Sequence, residues 1–360
     1  MRKIGILTSG GDCPGLNAAI SGLSKALFDI FGENNIDILG LKNGFLGFSQ
    51  GEYIRIDGSK LPGLSLVGGT ILGTRRTPYK YITDKDEYGS DKVTRMKKFY
   101  NDEGLDAVIT LGGNGTHKTA ALLSRMGLNI IALPKTIDND IYGTDFSFGF
   151  MTAVDLAAEF TERVSTHAAS HGRVMIVELM GNKAGWITLY SGLAAEADII
   201  LLPEFPYSER SVTAAVKRIF ASGKKFVIMC VAEGAYPANE KNLSRKDRAN
   251  ILKQLRVTSQ SERLATVIER ETGAETRIAS PGHYLRGGTP NAFDRIYSAQ
   301  LGVKAATLYK NGTFGVTCAQ VDGKITYNKL SDVAHKTKFV DGKTESYKTA
   351  KNIGVAFCDD

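Results

Sequence analysis

Apolar residues along this chain fall mainly in short unbroken runs. KIGIL (3–7), AVITL (107–111), NIIAL (129–133), VMIVEL (174–179), DIILL (198–202) and FVIMCVA (226–232) are five to seven residues long and rich in β-branched side chains. A run of that length without polar alternation marks a strand buried on both faces. Between the runs, apolar residues recur every three or four positions. NAAISGLSKALFDIFG (17–32) and THKTAALLSRMG (116–127) read this way as amphipathic helices closed by a glycine. Several strands end in glycine-rich turns: TSGGD (8–12), LGGNG (111–115) and VAEGA (231–235). Strand, glycine turn and helix alternate in two successive series. The pattern predicts an α/β protein with parallel sheets covered on both faces, and the two series predict two such domains with ligands in the cleft between them.

A length of 360 residues with 42% hydrophobic content is ample for two cores. No apolar run approaches the roughly 18 residues of a membrane-spanning helix. MRKIGILTSGGD passes from a strand straight into a turn, without the pattern of a secretory leader. Cys13, Cys230, Cys318 and Cys358 are widely separated and form no CxxC, so neither a disulfide framework nor a zinc site is expected, and a reducing cytoplasm fits. The net charge of +7 points to an anionic partner. Lys and Arg are dispersed, however, and clusters such as RMKK (95–98) and GKKF (223–226) read as solvated helix faces or strand flanks. Small phosphorylated substrates therefore explain the charge, and neither nucleic acid nor membrane is expected as a partner. The segment from Lys336 is polar until NIGVAFC (352–358).

The chemistry concentrates after NIIAL, in LPKTIDNDIYGTD (133–145). Pro134 ends the strand and no helical period follows, so the acids stand on a loop at the carboxyl end of a strand, where open α/β sheets bind ligands. Asp138 and Asp140 are two apart and would share a face on an extended backbone. Like charges that close need a cation or a proton between them. A solvated acidic turn capped by Asn139 and Asp140 fits the loop equally well. TSGGDCPGLNAA (8–19) and LGGNGT (111–116) are neither GxGxxG nor the GxxxxGK[ST] phosphate loop. They use the same physics, bringing backbone N–H groups and a helix N-terminus up to an anion. Two such turns beside a carboxylate loop imply a polyphosphate with Mg²⁺, which takes one or two carboxylates plus phosphate oxygens. GGTILGTRR (68–76) adds Arg75 and Arg76 as a phosphate clamp. ETRIASPGHYLRGGTPNAFDR (275–295) places Arg277, His283 and Arg286 within ten residues on a loop suited to a phosphate monoester. His283 alone would more often be structural than catalytic.

Seven motifs, TSGGDCPGLNAA, GGTILGTRR, GGNGT, PKTIDNDIYGTD, VELMGNKAGW, VAEGA and GHYLRGGTPNAFDR, stand in this order over roughly residues 3 to 305. In that order the chain resembles the 6-phosphofructokinases, and PKTIDND followed by GTD is highly specific. The resemblance implies two Rossmann-like three-layer α/β/α domains with the active site in the cleft between them. The donor domain would comprise 1–149 plus 286–335, and the fructose 6-phosphate domain 150–285 plus 336–360. It implies Mg²⁺-dependent phosphoryl transfer from ATP or pyrophosphate to the 1-hydroxyl of fructose 6-phosphate. Asp138 matches the base, Thr136 a residue near the attacking hydroxyl, and Asp140 an acid near the metal. Met180, Gly181, Glu233, His283 and Arg286 match the sugar phosphate site. Arg173 and Arg277 match arginines that reach in from a neighbouring subunit of a homodimer or homotetramer. Gly10, Arg76, Gly113, Asn114, Gly115 and Thr116 fall on the nucleotide side, with Asn114 and Asp140 at the metal.

Three departures stand out. Asn114 replaces an aspartate that helps hold Mg²⁺ in most members, and an amide is a weaker ligand for a hard cation. Asn182 replaces an arginine found over the transferring phosphoryl in many ATP-dependent members, a charge that Lys135 or Lys183 could restore. Ser21 stands near an effector-site arginine of allosteric bacterial members, so regulation at that site is not expected. For the donor, Gly115 leaves room for an α-phosphate and adenosine, where aspartate goes with pyrophosphate. Lys135 occurs in pyrophosphate users and in some ATP users. The steric block is the stronger discriminator, so ATP is favoured and pyrophosphate stays the alternative. A catalytically weak sugar-phosphate-binding paralogue is the third reading, motivated by Asn114 and Asn182.

Overall fold

The computed structural model describes residues 1–85 and 89–359. Its strands, in chain order, are β1 (Arg2–Thr8), β2 (Ile36–Leu41), β3 (Tyr53–Ile56), β4 (Ala107–Gly112), β5 (Ile130–Pro134), β6 (Val174–Leu179), β7 (Ile199–Leu201), β8 (Val227–Ala232), β9 (Thr276–Ala279), β10 (Val316–Val321) and β11 (Lys324–Lys329). The chain forms two compact units: Met1–Thr152 with Arg286–Lys338, and Ala153–Leu285 with the chain from Phe339 onward. Two boundaries fall three residues later than the sequence implies. The buried Asp294 carboxylate accepts from Gly149 N (2.8 Å), Thr152 N (2.7 Å) and Thr152 Oγ1 (2.5 Å), which binds Thr152 to the first unit. Lys338 is bound to the loop after β5, as described below.

The first unit holds a seven-stranded sheet in the order β11-β10-β5-β4-β1-β2-β3. β10, β5, β4, β1 and β2 pair in parallel, while the edge strands β3 and β11 run antiparallel. The uninterrupted apolar runs explain the centre, since β2, β4 and β5 are buried at every residue. From β1 the chain proceeds to β2 on one side and then returns to β4 on the other. The carboxyl ends of β1 and β4 therefore flank a topological switch point, where a crevice opens in a doubly wound sheet. On one side of the sheet, helix Leu16–Phe31 lies directly against helix Ala292–Lys310. Glycines make the approach possible: a Cβ at Gly22 would come 2.7 Å from the Cα of Ala299, and one at Gly302 would come 2.6 Å from Leu23 N. Leu39, Phe45, Phe48, Met96, Val108 and Leu123 belong to a separate buried cluster of this unit.

The second unit holds a four-stranded, all-parallel sheet in the order β7-β8-β6-β9. Tyr207, Val212, Val227, Met229, Leu264 and Ile268 form its core, and the Tyr207 hydroxyl is satisfied by Gln260 Oε1 at 3.1 Å. The apolar end of NIGVAFC extends this sheet. Ala356 bridges Ile199 in parallel and accepts from Ile200 N at 3.0 Å, and Cys358 O accepts from Ser208 N at 2.8 Å. Among the described residues, no helix is long and apolar enough to cross a membrane.

His117 ties the second glycine turn to the sheet. The ring is buried, its Nδ1 lies 3.1 Å from Gly113 O and its Nε2 2.9 Å from Thr317 Oγ1. Burial pushes its pKa down to about 4, against backbone hydrogen bonds that act the other way. The unfolded chain takes up this proton near pH 6.5, whereas the folded protein resists it until about pH 4. Its contribution to stability is thus complete above pH 6.5 and is lost as pH falls through that window. Urea unfolding at pH 7 and pH 5 should show the wild type losing on the order of 1–2 kcal/mol more than His117→Asn. Equal losses would refute the neutral buried imidazole.

Candidate active site

The glycine turns and the acid loop are brought together at the carboxyl ends of β1, β4 and β5. Ser9 N donates to Leu111 O (2.9 Å), and Lys135 N donates to Gly112 O (3.0 Å). Gly10 has φ 96°, a left-handed conformation that favours glycine, and a Cβ there would lie 3.5 Å from Lys135 Nζ. Lys135 is only 2% exposed and donates from Nζ to Gly11 O at 2.5 Å. Burial and the nearby Arg286 pull its pKa down, while Cys13, Asp138 and Asp12 oppose them. Arg286 donates from Nη1 to Asp12 O at 3.1 Å, and a Cβ on Gly11 would meet that nitrogen at 2.7 Å. Arg75 O accepts from Gly10 N at 3.3 Å, and the side chains of Arg75 and Arg76 are exposed.

Helix Asn114–Arg125 starts at the end of β4 with Gly113 as its cap, which offers no side chain to the first-turn amides. Helix Leu16–Phe31 starts in the same way on Gly15. Elsewhere Asp91, Ser208, Ser259 and Asn291 cap helices with a side-chain oxygen. Bare helix N-termini beside glycine turns leave N–H groups for an anion. A Cβ on Gly115 would meet nothing within 4 Å, so the space beside it is open.

The acid loop differs from the sequence expectation in one respect. Asn139 takes φ 51°, so the backbone turns between Asp138 and Asp140, and they are not same-side neighbours on an extended strand. The reason is the bonding of Asn139: Oδ1 accepts from Ser147 N (3.0 Å) and Lys338 Nζ (3.0 Å), while Ser147 Oγ donates to Thr136 O (2.7 Å). The two acids still couple. Burial and the charge of Asp138 push Asp140 up to about 6, and Asn114 and Lys338 oppose the rise. Asn114 Nδ2 donates to the Asp140 carbonyl at 3.2 Å, and Asp138 N donates to Thr136 Oγ1 at 3.1 Å. Among the described residues, no three His, Cys, Asp or Glu side chains form a metal cluster. Two neighbouring carboxylates and an amide suit a Mg²⁺ ion whose remaining ligands are phosphate oxygens.

Lys338 gave no signal in the sequence. Its Nζ donates to Asn139 Oδ1, Thr144 O (2.9 Å) and Asp145 O (2.8 Å), and its N–H donates to Asp140 O (2.9 Å). Burial lowers its pKa to about 7, against Asp145 and Asp140.

In the second unit, Glu233 at the end of β8 accepts from Gly181 N (3.2 Å) and Asn182 N (2.7 Å), fixing the loop after β6. Met180 stands on the same loop. Asn182 and Glu233 border a cavity of about 850 Å³ that Lys183, Arg245 and Arg248 also line. Arg173 and Arg277 lie apart from it. Arg173 precedes β6 and Met180 follows it, so the strand separates them by roughly 20 Å. Arg277 pairs in register with Met175, and both guanidinium groups are held by Glu275. His283 sits exposed on a short 3₁₀ turn, Gly282–Arg286, rather than on an irregular loop. Arg286, expected with it at the sugar phosphate, falls in the first unit beside the β1 turn.

The chain belongs to the phosphofructokinase family, whose model matches residues 3–309. It is 44% identical to the ATP-dependent 6-phosphofructokinase of Spirochaeta thermophila, over 99% of this chain and 98% of that protein. It is 38% identical to the pyrophosphate–fructose 6-phosphate 1-phosphotransferase of Amycolatopsis mediterranei, over 97% of this chain and 98% of that one. In fold it is similar to the pyrophosphate-dependent phosphofructokinase of Nitrosospira multiformis, with a TM-score of 0.80 over 99% of this chain and 89% of that chain at 20% identity.

Removing the Lys338 ammonium should release the acid loop. In Lys338→Met, hydrogen exchange at the Ser147 amide should speed up about tenfold or more, with the core amides of β4 unchanged. Unchanged exchange at Ser147 would show that the loop holds itself.

Proposed function

We propose that this protein is an ATP-dependent 6-phosphofructokinase, transferring the terminal phosphoryl of ATP to the 1-hydroxyl of fructose 6-phosphate in glycolysis. One observation carries the choice of donor: the acid loop stands beside a glycine, Gly115, with open space where a side chain would project. An aspartate there would fill the space that an α-phosphate needs.

Asp138 takes the proton of the sugar hydroxyl, whose oxygen then attacks in line. Thr136 positions Asp138 through its backbone N–H. Gly10 shapes the first turn, and the amides of Gly113–Thr116, with Arg76, receive the donor phosphates. Asp140 and Asn114 are the groups that would hold Mg²⁺, which neutralises phosphate charge when bound. A metal there would also offset the burial and the Asp138 charge that raise Asp140. Glu233, Met180 and Gly181 orient the sugar, and His283 and Arg286 hold its phosphate. Positioning and charge stabilisation supply most of the rate, as expected for phosphoryl transfer.

Arg173 and Arg277 serve the site of a neighbouring copy. Their place at the far end of β6 from Glu233, and their shared hold by Glu275, support that role. Phe293, Ile296 and Val303 leave exposed apolar surface on helix Ala292–Lys310, consistent with a homodimer or homotetramer. The enzyme would work in the cytoplasm.

A pyrophosphate-dependent phosphotransferase is the second reading, favoured by the presence of Lys135 beside the glycine turn. Steady-state assays with fructose 6-phosphate and Mg²⁺ decide between them. Turnover with ATP should exceed that with pyrophosphate, and Asp138→Asn should lower kcat by about 10³-fold or more without loss of sugar binding. Gly115→Asp should cut kcat/KM for ATP by about 10²-fold and leave the melting temperature unchanged. Faster turnover with pyrophosphate would overturn the donor assignment.

A further inference from the structure

The proposed mechanism gives no role to the end of the chain. In the second unit that segment is built onto the residues at and after β7. Ala356 bridges Ile199, and Cys358 O accepts from Ser208 N. Helix Glu345–Asn352 stacks its Tyr347 ring on Phe205, with centroids 4.4 Å apart, and Phe357 closes on Tyr347 at 4.5 Å. Glu204 stands among these attachments, immediately before Phe205. Its Oε1 accepts from Val340 N at 3.0 Å and from Gly185 N at 2.9 Å, and its Oε2 lies 3.1 Å from Gly185 N.

Gly185 closes the loop after β6 and caps helix Trp186–Ala194. It offers no side chain to that helix, and Glu204 supplies the negative charge that a helix N-terminus favours. Only glycine permits this approach, because a Cβ there would come 2.9 Å from Glu204 Oε2 and 2.7 Å from Leu202 Cδ2. At the other end of the loop Glu233 accepts from Gly181 N and Asn182 N, and Ala184 N donates to Gly181 O at 3.0 Å. The loop 181–185 is thus held by one carboxylate at each end. Burial raises the Glu204 pKa, and the Gly185 and Val340 amides oppose the rise by favouring the ionised acceptor.

Glu204, Phe339 and Val340 line the same cavity as Glu233, so the end of the chain forms part of its wall. Glu178, Lys183, Arg245 and Arg248 give that wall both signs of charge. A polar wall of mixed sign with an exposed aromatic ring, Phe339, suits a small polyhydroxyl ligand. One carboxylate sets the spacing between the loop that orients the sugar and the segment that faces it.

We propose that Glu204 is a positioning residue for the sugar and that Phe339 and Val340 form a fixed wall of its pocket, so that the end of the chain helps to set the affinity for fructose 6-phosphate. The inference rests on the kinase reading above for the identity of the sugar. Without the Glu204 carboxylate, the Gly185 and Val340 amides lose their acceptor, and loop and wall are free to move separately. An arriving sugar then has to order both, which weakens binding. The loss falls on the ground state, so it shows in KM for the sugar rather than in kcat.

The test combines calorimetry, kinetics and hydrogen exchange. Glu204→Ala should raise the Kd and KM for fructose 6-phosphate about tenfold or more, and leave kcat and the KM for ATP within about threefold. Glu204→Gln keeps Oε1 as an acceptor and should hold sugar affinity within about threefold of the wild type. Phe339→Ala, at an exposed residue of the wall, should melt like the wild type and weaken sugar binding about fivefold. Unchanged sugar affinity in Glu204→Ala, or in Phe339→Ala where the first variant does not fold, would overturn the proposal and leave the kinase reading intact. If the wild type binds no fructose 6-phosphate and transfers no phosphoryl, the kinase reading fails. Exchange then judges the brace alone: faster exchange at both Gly185 and Val340 in Glu204→Ala, with the β8 amides unchanged, upholds it, and unchanged exchange overturns it.

Discussion

The loop after β5 has to hold two carboxylates, Asp138 and Asp140, close to one another. Burial, and after it the charge of Asp138, raise the pKa of Asp140. Asn139, turned into the left-handed region between them, accepts from Ser147 N and from the Lys338 ammonium. Lys338 also satisfies the carbonyls of Thr144 and Asp145 and comes from a segment that bridges Ile141 through Thr337. A buried ammonium facing carbonyl oxygens offsets the negative charge of the loop. The acid loop is thus braced by a segment nearly two hundred residues away, and the glycine turns around it can stay open.

That openness has a structural basis. The turns after β1 and β4 cluster because the sheet changes direction of growth between those strands. Glycine caps leave the amides of the following helices free, whereas helices capped by serine, aspartate or asparagine have theirs partly satisfied. Lys135 and Arg286 bind the Gly11 and Asp12 carbonyls of the first turn.

Two asparagines share a physical theme. Asn114 donates to the Asp140 carbonyl where a carboxylate would add a third negative charge. Asn182 accepts from Arg245 where a carboxylate would neutralise it. In each case a neutral amide fixes geometry and leaves the neighbouring charge available to a ligand.

Much of this was legible in the amino-acid sequence. Short apolar runs without alternation can only be strands buried on both faces, and glycines after them mark turns that approach an anion. The Asp138–Asp140 loop was identifiable because its residues lie within a few positions of one another. The sequence misled where a local period was taken for a conformation: spacing by two put the acids on one extended face, and the left-handed Asn139 turns the backbone between them. It was silent where partners are distant along the chain. Lys338 and Asn139 are 199 residues apart, His117 and Thr317 are 200, and Arg245 and Asn182 are 63. Burial and turn chemistry act over neighbouring residues and leave a local pattern, so the sequence by itself determined the strands, the turns and the reactive loop. A hydrogen bond between distant segments leaves none, so only the tertiary structure decided which groups hold that loop and where the cations stand.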